Sequence, residues 1–135
     1  CGTVTSALRF YLPNVVLTGV VNDLSPHYAQ ASIVINPVLF GSGLKIKTVE
    51  ALAYGKCLVT TPIGAEGLVD VENSAVIVQP KEMYQAIINL LESSEEVRRY
   101  ERSAQEYAET HFTPESCYTD LLNHIGAVIE RQHNA

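Results

Sequence analysis

Tryptophan is absent from the 135 residues, methionine occurs once, and three cysteines are too few and too scattered for a disulfide framework. Cys1, Cys57 and Cys117 show no Cys-x-x-Cys spacing, and His27, His111, His124 and His133 have no ligand spacing among them. No metal and no cofactor are therefore expected. Positive charge is also scarce. Nine Lys and Arg stand against 15 Asp and Glu, a formal net charge of −6, whereas a nucleic-acid partner calls for a basic patch to neutralise phosphates. No apolar run reaches the roughly 18 to 20 residues that cross a bilayer, and no charged-then-apolar leader is visible. A reducing, cytoplasmic setting is the expectation. Several catalytic signatures are missing too. There is no Gly-x-Ser-x-Gly elbow to make Ser42 a nucleophile. A dinucleotide fingerprint would need glycine where Ile46 stands, and a P-loop would need four residues between its glycines where only Ser42 separates Gly41 from Gly43.

What remains is a composition of 47% hydrophobic and 18% charged residues, which reads as one globular domain, residues 1–135. Charge is uneven along it. Arg9, Lys45, Lys47 and Lys56 outnumber Asp23 and Glu50 in the first 64 residues, while the remainder carries a net −8. Short β-branched or apolar runs at 15–20, 32–36, 57–61 and 75–79 read as buried strands. Between them, Ser25 and Pro26 open a helix to about Ala31, and residues 44–54 place Ile46, Val49 and Ala53 on a stripe expected to face the sheet. That helix stops at Gly55. Residues 1–4 look like the stub of a fifth strand, and residues 9–12 like a helix end or a loop. Alternation of strand and helix predicts an α/β, doubly wound parallel sheet over residues 1–92 with four confident strands. From Glu82 onward the pattern is helical, with Met83, Ile87, Ile88, Leu90 and Leu91 giving the last helix of the core. Residues 93–135 continue as two C-terminal helices, a charged one capped by Ser94 and running to about Thr110, and one that opens at Thr113 and Pro114 to reach about Arg131. The charged run from Glu95 to Arg102 is a solvated helix face.

Chemistry concentrates in PVLFGSGLKIKTVEALAYG, where Gly41 and Gly43 follow a strand and directly precede a helix, the place where backbone amides collect into an anion site. Lys45 and Lys47 in the first turn meet the positive end of the helix dipole, at a cost of roughly 0.3 to 1 kcal/mol, so something negative should compensate. Lys47, Glu50 and Tyr54 share one ridge of that helix. An ordinary helical ion pair worth about 0.2 to 0.5 kcal/mol explains Lys47 and Glu50 equally well from spacing alone. A second glycine-containing loop, TTPIGAEGL, falls at the same edge of the sheet, so that Glu66 or its neighbouring amides reach the same ligand.

The order VVLTGVVNDLSPHYAQASIVINP, GSGLKIKTVEALAYGKCLVTTPIGAEGL and AVIVQPKEMYQAIINLL resembles the C-terminal, nucleotide-sugar-binding lobe of retaining glycosyltransferases of the GT-B fold, the group 1 or family 4 type. The resemblance implies a nucleotide-sugar donor. Gly41, Ser42, Gly43 and Lys47 would hold its diphosphate, Glu50 the ribose hydroxyls, and Val20 and Val21 the base, with Ala65, Glu66 and Gly67 beside the donor pocket. It leaves the catalytic residues unnamed, since much of the catalytic apparatus and the site for a glycan, lipid or small-molecule acceptor lie in an N-terminal lobe that this sequence does not show. The isolated chain is accordingly expected to be inactive. The resemblance also leaves room for peripheral membrane association of the full-length protein. One position departs from the family: Ser42 stands eight residues before Glu50, where many members carry a first glutamate that contacts the donor sugar. The alternative is a non-catalytic nucleotide-binding or assembly module with the same fold.

Overall fold

Cys57, Leu58, Val59 and Thr60 are all buried, as expected of a strand covered on both faces, and they form the centre of the sheet. The computed structural model describes residues 12–133, which divide after Gln30 into two compact units. In the second unit β1 (Ile33–Asn36), β2 (Cys57–Thr60) and β3 (Val76–Ile77) lie in that order, all parallel, with Ile33 opposite Cys57 and Val59 opposite Val76. The helix α2 (Ile46–Ala53) connects β1 to β2 and packs on both, which makes a βαβ unit. On one face of β2, Cys57 and Val59 meet Met83 and Leu90 of α3 (Met83–Glu92), with Val97 and Tyr100 of α4 (Ser94–His111) closing the cluster. Each large apolar side chain buried in this way stabilises the fold by about 1.5 to 3 kcal/mol. The last helix is α5 (Pro114–His133). This is the α/β class expected, an open parallel sheet flanked by helices with a helical tail.

The first unit differs from expectation. Residues 15–20 form no strand: Gly19 turns into the left-handed region at φ +68°, which interrupts any extended run, and Val16 is 84% and Val20 71% exposed. A β-branched run becomes a strand only when a neighbouring ladder takes its backbone groups, and among the described residues none does. The described residues therefore hold three strands where four were expected, and the third is two residues long rather than five. Residues 1–4 and 9–11 lie outside the described residues. The helix α1 (Ser25–Gln30) is present, but Ser25 is already its first residue: the Leu24 carbonyl accepts the first helical bonds, and one residue earlier the Asp23 carboxylate accepts from the Ser25 amide at 2.8 Å and from the Ser25 hydroxyl at 2.7 Å. These bonds hold the Asp23 carboxyl below the usual range.

Two corrections concern α2 and α4. The buried side of α2 is Thr48, Ala51 and Leu52, while Ile46 is 71% exposed, because a polar residue, Thr48, takes the inward position that periodicity of apolar residues assigns to others. The cap of α4 is Ser93, whose hydroxyl accepts from the Glu96 amide at 3.3 Å; Ser94 is already helical.

Candidate functional site

The C-terminal ends of β1 and β2 carry the two glycine-containing loops, because parallel strands deliver both chain exits to one edge of the sheet. After β1 the chain passes through Gly41 at φ +115° and Gly43 at φ +72°, conformations that side chains rarely adopt, and enters α2 at Lys45. Lys45 is the N-cap of α2, with extended backbone and no side-chain cap, so no side chain closes off the amides of the first turn. After β2 the chain turns through residues 62–67. Gly67, at φ +86°, lies so close to the first loop that a Cβ there would sit 3.5 Å from the Leu44 backbone. A side chain at this position would thus touch the first loop.

An ion pair joins the two loops. The Lys45 Nζ reaches Glu66 Oε2 at 3.1 Å and also donates to the Gly43 carbonyl. Its side chain is only 13% exposed, against 61% for that of Lys47. Lys47 Nζ bonds Glu50 Oε2 at 2.9 Å along the helix. Both cations of the first turn are thus compensated by carboxylates of the chain itself, Lys45 across the loops and Lys47 within the helix.

A buried polar circuit fixes this edge. The Asn36 amide nitrogen donates to Thr48 Oγ1 at 2.9 Å, and the Thr48 hydroxyl donates to the Gly64 carbonyl at 2.7 Å. The Gly64 amide donates to Thr61 Oγ1 at 2.9 Å, the Thr61 hydroxyl donates to the Val38 carbonyl, and the Thr60 hydroxyl donates to the Asn36 carbonyl at 2.9 Å. Gly64 has no alternative: a Cβ would lie 2.0 Å from Thr60 Oγ1. Further along the loop, the Tyr107 hydroxyl of α4 donates to the Val69 carbonyl at 2.7 Å, and burial pushes that phenol's pKa up. Tyr107 stacks on His111 with ring centroids 4.0 Å apart.

Among the residues singled out in the sequence, Gly41, Ser42 and Gly43 form the first loop and Ala65, Glu66 and Gly67 the second, and the structure brings these together through Lys45, Leu44 and the circuit. Lys47 and Glu50 lie on α2 beside them as a pair. Val20 and Val21 belong to the first unit, in the irregular stretch before α1, the former exposed and the latter half-buried. Asn36 and Thr48 are not singled out by the sequence, and Thr60, Thr61 and Gly64 only as part of the second loop, with no role of their own. Their signal was a polar residue ending a buried strand before Pro37, a threonine pair ending the next, and a threonine inside a helix otherwise rich in alanine and leucine.

Leu39, Phe40, Leu44 and Ile46 are exposed on the outer side of the first loop and the start of α2, with Phe40 at 85%. Cys57 lies in the core, where burial pushes its thiol up to about 11, so it carries no thiolate at neutral pH. Among the described residues no group of three or more His, Cys, Asp or Glu could hold a metal ion, and no helix is long and apolar enough to cross a membrane.

Comparison with curated proteins gives no match. The family model described as Glycosyl transferases group 1 matches residues 3–93, more than half of the chain, and takes in both loops and α2; the chain belongs to the group 1 glycosyltransferases, as a domain of the GT-B type.

Proposed function

We propose that this domain is the donor-binding lobe of a retaining glycosyltransferase that uses a nucleoside-diphosphate sugar. The observation that carries the reading is the convergence of the Gly41 and Gly43 loop with the Ala65, Glu66 and Gly67 loop at the start of α2, where Lys45 and Lys47 are concentrated. In glycosyl transfer the anomeric C–O bond of the donor breaks and its electron pair passes to the departing diphosphate, so the site has to stabilise growing negative charge. Backbone amides at a helix start and lysine ammonium groups do this without a nucleophile. Gly41, Ser42, Gly43 and Lys47 take the diphosphate, exchanging a carboxylate partner for a phosphate one. Glu50 accepts from the ribose hydroxyls, and Ala65, Glu66 and Gly67 border the sugar. A second lobe brings the acceptor, a glycan, a lipid or a small molecule, so the chain alone holds the donor without transferring its sugar. The setting is cytoplasmic.

The Lys47 and Glu50 pair, closed at 2.9 Å, favours a second reading, a nucleotide-binding or assembly module that keeps the fold without turnover. One experiment supports or overturns the donor site common to both nucleotide readings. The full chain is titrated with uridine, guanosine and adenosine diphosphates while backbone amide shifts are followed. Saturable shifts at Gly41, Gly43 and Gly67 with at least one of the three are expected. No saturable shift with any of them leaves the assembly module.

A further inference from the structure

A threonine with no exposed surface in the middle of an amphipathic helix is a poor choice for packing alone, since a buried hydroxyl is costly unless bonded and valine has the same shape. Thr48 is that residue, and its hydroxyl is bonded both as acceptor and as donor. It accepts from Asn36 at the end of β1 and donates to the Gly64 carbonyl in the loop after β2. One oxygen thereby ties three chain segments that are distant in sequence. Gly64 is held from its other side as well, through its amide to Thr61, and cannot shift toward Thr60. Three residues beyond Gly64, the loop reaches Gly67 against Leu44, and between them stands Glu66 on Lys45. The height of the second loop over the start of α2 is therefore set at Thr48, one residue from Lys47 and two from Glu50.

We infer that Thr48 is a positioning residue for the donor site: through the Gly64 carbonyl its hydroxyl holds the loop of Ala65, Glu66 and Gly67 at the separation from α2 that a nucleoside diphosphate requires. The inference rests on the donor-binding reading for its functional part, whereas the coupling of loop to helix stands on the hydrogen bonds alone. Thr48 touches no ligand in this account. It acts through the backbone, and any residue of the same shape without the hydroxyl loses the effect.

The test compares Thr48→Val, which keeps the volume and removes both bonds, with Thr48→Ser, which keeps the hydroxyl. Two quantities are measured on the full chain, the deuterium exchange of peptides covering 61–67 and the Kd for uridine, guanosine and adenosine diphosphates. In Thr48→Val the loop is expected to exchange at least about tenfold faster, with α3 unchanged, and the best-bound diphosphate to weaken by about tenfold, the scale of one buried hydrogen bond lost. Thr48→Ser is expected to restore both to within about threefold of the parent. If Thr48→Val does not fold, the same comparison is made between Thr48→Ser and Thr48→Ala, which differ by the hydroxyl oxygen alone. Unchanged exchange at 61–67 without the hydroxyl overturns the coupling. Faster exchange with unchanged Kd overturns the positioning role. A parent chain that binds none of the three diphosphates sinks the donor reading and with it the positioning role, while the exchange data still decide the coupling.

Discussion

Gly64 is the residue at which the candidate site tolerates least. Every other glycine of the two loops needs its freedom of φ; Gly64 needs the absence of a side chain, because the space a Cβ would take is filled by Thr60 Oγ1 at 2.0 Å and bounded by the Asn36 carbonyl at 3.3 Å. Both neighbours belong to the buried circuit and have nowhere to move without breaking a hydrogen bond. Gly64→Ala should therefore cost about 1 to 3 kcal/mol through overpacking, with further loss as the circuit opens. Gly43 meets nothing within 4 Å, so Gly43→Ala should cost only the left-handed backbone, about 1 to 2 kcal/mol. Denaturant unfolding of the two variants checks the order; a Gly64→Ala chain as stable as the parent would show that the loop re-forms elsewhere. This part of the site was hidden from the sequence for a physical reason. A glycine selected for close approach has the same letter as one selected for φ, and a threonine that anchors a loop reads as a mild interruption of a helix.

At the scale of elements, legibility followed how local the determining interactions are. The helices were found because capping, proline placement and apolar periodicity act within a few residues. Even their errors are small. Composition puts the α4 cap at Ser94, whereas Ser93 has the extended backbone and the hydroxyl aimed at the Glu96 amide. Two adjacent serines are equivalent in composition, and only the backbone conformation at the junction with α3 decides between them. Ser93→Ala should destabilise the domain by about 1 kcal/mol, while Ser94→Ala should be nearly neutral. Thermal unfolding of both variants separates them, and equal losses would mean that the cap is shared. The inward side of α2 was misread because Thr48 satisfies its hydroxyl by long-range partners. The strand expected at residues 15–20 failed for the complementary reason: its β-branched composition is local, but strand formation depends on a ladder, and Gly19 at φ +68° ends the extended run.

For the molecule as a whole, alternation gives the parallel α/β class and the helical tail but four strands where the described residues hold three, and the match of residues 3–93 to group 1 glycosyltransferases agrees with the motifs that resemble the family. The two candidate loops were also placed on a common edge by the sequence, since parallel strands leave no other arrangement. What was not readable is which cation serves the loops. Lys45 and Lys47 are two residues apart and alike in chemistry, yet one is drawn under the loops onto Glu66 and the other lies along the helix on Glu50. The proposed donor site puts a nucleoside diphosphate at this start of α2, with Lys47 on the phosphates and Glu50 on the ribose. Titration calorimetry of Lys47→Ala and Glu50→Gln with the cognate nucleoside diphosphate, the bare nucleoside and inorganic pyrophosphate tests it most directly. Lys47→Ala is expected to weaken the diphosphate and pyrophosphate by about 1.5 to 3 kcal/mol and to leave the nucleoside nearly unchanged, whereas Glu50→Gln is expected to weaken the two ribose-containing ligands and to spare pyrophosphate. Both variants binding all three ligands as tightly as the parent would contradict it and return Lys47 and Glu50 to a surface helix pair.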